Sequence, residues 1–276
     1  MLLAQISDLH IKADRALAYG VVDTATMLER CVQRLLALPQ RPDAVVITGD
    51  LVDAGRPDEY GLLRELLAPL TRCVPVYLLP GNHDDRAALR AAFPDHDYLR
   101  QWEPFVQYAI EEHPLRLLAL DTVVPGEAGG ALCGQRLAWL ERALAVSGRP
   151  TIVALHHPPF ASGIGHMDRI GLSNAPQLAA VLRKYRQVMR VIAGHLHRPI
   201  TCAFAGTVAS VCPSPAHQVA LDLSSAAPDH FVLEPPAFYL HVQTDSGLVT
   251  HTAYVGKFGG PYPFREPTTS PQPAKT

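Results

Sequence analysis

The sequence lacks the features that mark a nucleic-acid binder or a membrane protein. Its 24 basic and 26 acidic residues give a formal net charge of −2 over 276 residues, so there is no basic excess to attract phosphate backbones. Its apolar runs, such as residues 115–120, are far shorter than the about 20 residues that span a bilayer. Nucleic acid and membrane are therefore disfavoured as partners.

The cysteines and the N-terminus show neither of the patterns that are typical of exported proteins. The five cysteines are odd in number and none has CxxC spacing, which argues against a disulfide framework and against a thiolate zinc site. We expect reduced, mostly buried thiols. Residues 1–7 show no basic region and no long apolar stretch, so they do not have the pattern of a signal peptide. Both features predict a cytoplasmic location.

What the sequence does contain is an alternation of short apolar runs with longer segments of helical spacing. The runs are nearly all apolar, which is typical of strands buried on both faces. Asp23, Asp58 and Asn174 are placed to cap three of the intervening helices. This alternation predicts a layered α/β fold. The predicted strands are 2–7, 44–48, 74–79, 115–120, 152–155 and 188–193.

The pattern changes after His197. Strand-like segments then dominate, at 219–223, 237–243 and 248–255. We expect a second sheet here, and interpret residues 1–258 as a single domain with core motifs at 8–197 and a β-rich part at 198–258. The tail at 259–276 is rich in Pro, Thr and Ser and is predicted to be flexible. Edge strands of the β-rich part favour a homo-oligomer, a dimer or higher.

Polar clusters follow five of the six predicted strands. They are Asp8-Leu9-His10, Gly49-Asp50, Gly81-Asn82-His83-Asp84, His156-His157 and Gly194-His195-Leu196-His197. Because ligands bind outside the carboxyl ends of the strands in open α/β sheets, we expect these clusters to converge. Asp8 and His10 are two residues apart, so on an extended chain they would point to the same side.

The chemistry of these clusters indicates a metal centre. Carboxylate, imidazole and amide oxygen make a mixed ligand set that suits Mn, Fe, Co or Zn rather than Ca. There are more ligands than one ion needs. Asp50 could bridge two divalent ions roughly 3.5–4 Å apart, the spacing of binuclear phosphatases and nucleases.

The order of the motifs adds a resemblance. DxH, GDxxD, GNHD, HHPP and GHxH follow one another between Asp8 and His197, and together they resemble the calcineurin-like metallophosphoesterase family. Within that family, the HHPP form and the chain length look closest to bacterial class III cyclic-nucleotide phosphodiesterases and glycerophosphodiesterases. The resemblance implies a four-layer αββα sandwich, with two β-sheets face to face and helices on both outer sides.

The resemblance also implies a ligand set. It assigns Asp8, His10 and His197 to the first metal ion, Asn82, His156 and His195 to the second, and Asp50 to a bridging position. His157 is the alternative to His156.

Two further residues acquire catalytic roles in the same way. His83 resembles the histidine that contacts the phosphate or the leaving oxygen in the transition state, and Asp53 resembles the carboxylate that orients it. The chain departs from the family's protein phosphatases at Ala54, where they carry an arginine. Because a monoester dianion benefits from that cation more than a diester monoanion does, the departure favours diesters.

The sequence therefore predicts a binuclear-metal phosphodiesterase for small phosphodiesters, with a metal-bridging hydroxide as nucleophile. The expected substrates are 3',5'-cyclic nucleotides or glycerophosphodiesters. The alternatives are a metal-dependent phosphomonoesterase or nucleotide hydrolase of the same family, and a non-catalytic binding module on the same fold. We also expect that at least one of the segments 84–114 and 157–173 walls the substrate pocket.

Overall fold

The computed structural model describes residues 1–265, in which the helices and strands follow the predicted alternation. The strands are β1 Leu2–Ile6, β2 Ala44–Thr48, β3 Val76–Leu79, β4 Tyr108–Ile110, β5 Arg116–Leu120, β6 Thr151–Leu155, β7 Val188–Ala193, β8 Ile200–Phe204, β9 Thr207–Val211, β10 Gln218–Val219, β11 Phe231–Val232, β12 Ala237–Thr244 and β13 Gly247–Tyr254. The helices are α1 Thr24–Leu36, α2 Pro57–Thr71, α3 Arg86–Ala92, α4 Gly134–Ala145, α5 Gly165–Asp168 and α6 Ala175–Leu182. No helix in this part of the chain has the length and hydropathy of a membrane span.

The strands form two sheets and one small hairpin. The first sheet has the order β13-β12-β1-β2-β3, and the second has the order β4-β5-β6-β7-β9-β8. β1, β2 and β3 run parallel, as do β5, β6, β7 and β9. β10 and β11 pair with each other as a separate antiparallel hairpin. The parallel strands therefore bring the loops that follow them to one edge of each sheet.

Residues of β5 show how the layers stack. Leu117 and Ala119 belong to the core that the second sheet shares with the first sheet and with α1 and α2. Leu118 and Leu120 point to the opposite face and pack with Leu140 of α4 and with α6. Because both faces of the strand are buried, alternation of polar and apolar residues is absent there. This arrangement is the predicted four-layer αββα sandwich.

The expectation that the strands after His197 form a second sheet of their own is wrong. β8 and β9 extend the second sheet, and β12 and β13 extend the first. β12 pairs antiparallel with β1, with Ala4 opposite Leu240. The pairing satisfies an edge of β1 that would otherwise leave backbone groups free. The predicted strand at 219–223 contains only the end of β10, and the predicted tail at 259–276 lies outside the described residues beyond 265.

The predicted helix caps differ in outcome. Asp23 is confirmed, because its side chain accepts a hydrogen bond from Thr26 N at 3.0 Å at the start of α1. Asp58 is not the cap of α2, which begins at Pro57. Glu59 accepts from the backbone N–H of the residue before that helix, at 3.1 Å. Proline at the first helical position has no N–H to satisfy, so the helix begins at Pro57, two residues earlier than a cap at Asp58 would place it.

Two smaller expectations are also corrected. Asn174 precedes α6, but its side chain bonds to the backbone N and O of Leu132 rather than to the helix. The cysteines are all free, yet only two of the five are buried, so most of the thiols are not in the core. Cys31 and Cys212 are buried, Cys73 and Cys133 are exposed, and Cys202 is intermediate.

Candidate metal centre

The seven predicted ligands follow β1, β2, β3, β6 and β7, and they meet at the carboxyl ends of these strands, which belong to both sheets. One group has its ligand atoms within 4.8 Å of one another and consists of Asp8, His10, Asp50 and His197. A second group with the same limit consists of His156, His157 and His195. All of these side chains are buried. The loops thus deliver two adjacent sets of carboxylate and imidazole donors.

Asp50 lies between the two sets. Its Oδ2 is 3.5 Å from His10 Nε2, and its Oδ1 is 3.4 Å from His156 Nε2. Asn82 joins the second set, because its Oδ1 is 3.1 Å from His156 Nε2. One carboxylate therefore turns an oxygen to each set, as a bridging ligand must.

The backbone conformation that brings the ligands together differs from the expected one. Extended strands would have aimed the paired ligands to one side, but Asp8, His10 and Asp50 have φ values of 58°, 46° and 48°. His195 and His197 have φ values of 73° and 53°. Left-handed backbone is uncommon for residues other than glycine, and it concentrates at functional sites, where the surrounding structure holds it. After β1, β2 and β7, the ligands therefore converge through left-handed turns of the backbone rather than through extended chain.

Two glycines make room for the ligands. A Cβ at Gly81 would lie 2.2 Å from Asp50 Oδ1, and a Cβ at Gly49 would lie 2.3 Å from His156 Nδ1. Gly49 also has a φ of +96°, which other residues rarely adopt. The glycines of the GD and GN motifs are therefore required by the packing of the ligands themselves.

Gly81→Ala is expected to weaken Mn²⁺ binding by roughly tenfold or more, because the new methyl group displaces Asp50. Equilibrium dialysis with metal analysis measures this. Gly61→Ala is the matched control, since a Cβ on this exposed residue of α2 meets nothing within 4 Å. The control should keep the Mn²⁺ affinity and gain about 0.4–1 kcal/mol of stability. Equal Mn²⁺ affinity in the two variants would contradict the packing argument.

Some buried polar atoms of the cluster have no hydrogen-bond partner. Among residues 1–265, Asp8 Oδ2 and His195 Nε2 are buried and have no hydrogen-bond partner. Buried polar groups are almost always satisfied, so unsatisfied ones indicate a missing ligand or ion. Lone pairs of carboxylate and imidazole are what a divalent cation binds. The residues present therefore fit a metal centre.

Carbonyl groups orient two of the imidazoles. His156 Nδ1 is 2.8 Å from Thr48 O, and His197 Nδ1 is 3.1 Å from His217 O. Because a carbonyl only accepts hydrogen bonds, each Nδ1 carries the proton. This leaves each Nε2 facing the cluster, which is the arrangement of metal-binding histidines.

His157 makes different contacts. Its Nδ1 is 2.8 Å from Thr122 Oγ1, and its Nε2 is 3.1 Å from Ala128 O. Both nitrogens hold the loop after β5, whereas His156 turns its Nε2 toward Asp50 and Asn82. This geometry favours His156 over His157 as the ligand.

The electrostatics prepare the cluster for a cation. Burial lowers the pKa of His195 to about 3 and that of His197 well below its ordinary value, so both are neutral near pH 7. Burial alone would raise the pKa of Asp50, but the nearby histidines, His156 foremost, together outweigh it and lower that pKa well below the usual range. Burial also opposes protonation of His156, yet Asp50 raises its pKa to about 9. A cation would take the place of that proton.

The expected pair of the Asp53 carboxylate with His83 is corrected. His83 Nδ1 lies 2.7 Å from the backbone carbonyl of Asp53, and His83 N donates to Asp50 Oδ1 at 3.0 Å. The Asp53 carboxylate instead pairs with Lys12 Nζ at 2.5 Å and lies 3.7 Å from His10 Nδ1. The Asp53 carbonyl accepts a hydrogen bond from His83 Nδ1–H, so it orients the ring in place of the carboxylate.

Asp84 supports the loops that carry the ligands, although sequence analysis gave it no role. Its Oδ2 accepts from Leu51 N at 3.0 Å and from Gly81 N at 2.8 Å. Its Oδ1 accepts from Tyr60 Oη at 2.8 Å. One buried carboxylate thus ties the loop after β2 to the loop after β3. Its place at the end of the GNHD motif is the signal from which it could have been found.

A cavity of about 390 Å³ opens onto the cluster. Met167 and Ile170 line it, so the predicted segment 157–173 does wall the pocket. The lining residues that sequence reasoning missed include Tyr19, His217 and Phe231. His217 is buried, and its ring centroid lies 4.6 Å from that of His197. Tyr19 lies in a turn, His217 in the loop before β10 and Phe231 at the start of the two-residue β11, and no periodic pattern marks these positions.

Two facing sheets with a buried Asp/His cluster at their strand ends define a metal-dependent phosphoesterase scaffold. The family model described as calcineurin-like phosphoesterase matches residues 1–199. The chain belongs to this family.

Curated relatives match along most of their length. A probable glycerophosphodiester phosphodiesterase GpdQ of Arcobacter nitrofigilis is 40% identical over 267 residues, covering 96% of this chain and 97% of the relative. The 3',5'-cyclic adenosine monophosphate phosphodiesterase CpdA of Pseudomonas aeruginosa is 34% identical over 199 residues, covering 72% and 70%. A dimetal phosphatase from Danio rerio has a similar fold, with a TM-score of 0.64 at 18% identity over 93% of this chain and 99% of that one.

Proposed function

We propose that this protein is a binuclear-metal phosphodiesterase that hydrolyses small phosphodiesters, either cyclic nucleotides or glycerophosphodiesters. The observation that carries the proposal is the position of Asp50, with one oxygen toward each of two buried donor sets. Relatives named as phosphodiesterases of both substrate classes support it, and one of them aligns over 97% of its length.

We assign the ligands as the motifs imply. The first ion would be held by Asp8, His10 and His197, the second by Asn82, His156 and His195, and Asp50 would contact both. When bound, two divalent cations lower the pKa of water and neutralise charge on the phosphate. Mn, Fe, Zn and Co all suit this nitrogen and oxygen donor set.

His83 acts at the leaving group in this proposal. The oxygen of water forms a bond to phosphorus, and the bond from phosphorus to one alcohol oxygen breaks. His83 lines the cavity and has Nδ1–H bound to the Asp53 carbonyl, so its Nε2 is the nitrogen that can act on the substrate. In the imidazolium form Nε2 also carries a proton, which it gives to the departing alkoxide, and the proton released by the attacking water restores that form. The products are an alcohol and a phosphomonoester.

Few positive charges face the cavity, which favours a diester. Ala54 stands where the family's protein phosphatases carry arginine. Arg56 is 62% exposed and pairs with Asp58, and Arg198 pairs with Glu234. A diester carries one negative charge and a monoester dianion carries two, so the diester needs less compensation here.

Hydrolysis of bis(p-nitrophenyl) phosphate and p-nitrophenyl phosphate tests the proposal. Enzyme stripped of metal by a chelator should be inactive, and added Mn²⁺ should restore diester hydrolysis at least about tenfold faster than monoester hydrolysis in kcat/KM. Preference for the monoester would replace the proposal by a phosphatase. Inactivity toward both with two ions bound would replace it by a binding module.

A further inference from the structure

An aromatic wall stands beside the metal centre and has no role in the reaction described above. Tyr19 and Phe231 line the cavity, with ring centroids 4.9 Å apart. Both pack against His217, at 5.2 and 5.3 Å between centroids. Tyr19 is 55% exposed, so much of its ring is open to a ligand.

The backbone at Tyr19 is strained. Tyr19 and Gly20 have φ values of 51° and 73°, and Val21 N donates to Ala18 O at 3.1 Å, the arrangement of a type I′ turn. Such turns strongly prefer Asn, Asp or Gly at both central positions. A bulky aromatic residue with positive φ is an outlier, and such outliers are kept where the side chain is needed.

The surroundings of the wall are apolar. Leu17 and Val21 flank Tyr19 and are 46% and 62% exposed, and Leu233 follows Phe231 and is 57% exposed. Asp229, two residues before Phe231, also lines the cavity and is the charged side chain nearest to the wall in sequence. A carboxylate repels a second anionic group, so the wall suits a neutral ring.

We propose that Tyr19 and Phe231 form a subsite that stacks a neutral planar ring of the substrate, of which the nucleobase of a nucleotide phosphodiester is the biological example. The wall and the metal ligands border one cavity, so a phosphate at the ligands leaves its ester group next to the wall. Bases stack on aromatic side chains with substantial favourable free energy and little dependence on base identity. This inference rests on the proposed function, and it names which of the two substrate classes the site favours.

Paired ligands that differ only in the base provide the test. AMP and ribose 5-phosphate share the phosphate and the sugar, so the ratio of their dissociation constants for the Mn²⁺-loaded protein isolates the base. Isothermal titration calorimetry should show AMP binding at least about tenfold more tightly. Because the readout is binding, it stays informative if the hydrolysis assay fails, which separates this inference from the proposed function.

Variants locate the effect. Tyr19→Leu and Phe231→Leu should each bring the ratio closer to one, while Tyr19→Phe keeps the ring and should keep the ratio. Tyr254→Leu is the matched control, since Tyr254 is 49% exposed on β13, away from the cavity. Thermal unfolding checks that each variant is folded. A wild-type ratio near one, a ratio unchanged in both leucine variants, or an equal loss of both ligands would overturn the proposal.

Discussion

Asp50→Asn is expected to reduce kcat/KM for bis(p-nitrophenyl) phosphate by roughly 10³-fold or more. The amide keeps the shape of the carboxylate but removes its charge and one of its two acceptor oxygens. Those oxygens lie 3.5 Å from His10 Nε2 and 3.4 Å from His156 Nε2, so both metal positions are affected. Steady-state kinetics and metal analysis of the Mn²⁺-reconstituted variant measure the loss of activity and of bound ion.

Asp95→Asn is the matched control for this change. It removes the same charge from a side chain that is 84% exposed and lies 3.7 Å from Arg64. Surface pairs of this kind contribute little, so the control should stay within about twofold of wild type. The bridging assignment would be wrong if Asp50→Asn bound two ions and kept a comparable kcat/KM.

The central strands were predictable because each is buried on both faces. β2 and β7 begin and end at the predicted residues, and β5 begins one residue late. The C-terminal strands were harder, since β8 alternates between exposed and half-buried positions at the edge of its sheet. A strand's sequence does not reveal which sheet it will join. The pairing of β12 with β1 depends on an edge formed more than 200 residues earlier.

The candidate ligands were predictable for a related reason. A polar cluster directly after a buried apolar strand is costly unless it has a purpose, and parallel strands bring such clusters together. Contacts made by backbone atoms cannot be recognised from the sequence in this way. The sequence pointed to the Asp53 carboxylate, whereas the Asp53 carbonyl is what contacts His83. The position of Tyr19 beside the metal centre could not be predicted either, because its turn belongs to no periodic segment.

His83→Asn is expected to lower kcat for a glycerophosphodiester by roughly 10²–10⁴-fold, the usual contribution of a general acid. The asparagine amide replaces the Nδ1–H that bonds to Asp53 O at 2.7 Å, but it offers no group in the place of Nε2. Mn²⁺ affinity should be retained, since His83 is not among the proposed ligands. His251→Asn, on an exposed position of β13, is the control and should leave kcat unchanged.

The leaving group decides whether His83 donates a proton or only positions the phosphate. Glycerol and ethanolamine leave as strongly basic alkoxides, which need a proton as the bond to phosphorus breaks. p-Nitrophenolate is stable without one, so a general acid contributes little to its departure. His83→Asn should therefore reduce kcat for glycerophosphoethanolamine far more than kcat for bis(p-nitrophenyl) phosphate. Equal losses on the two substrates would assign His83 to phosphate binding, and loss of bound Mn²⁺ would place it among the ligands.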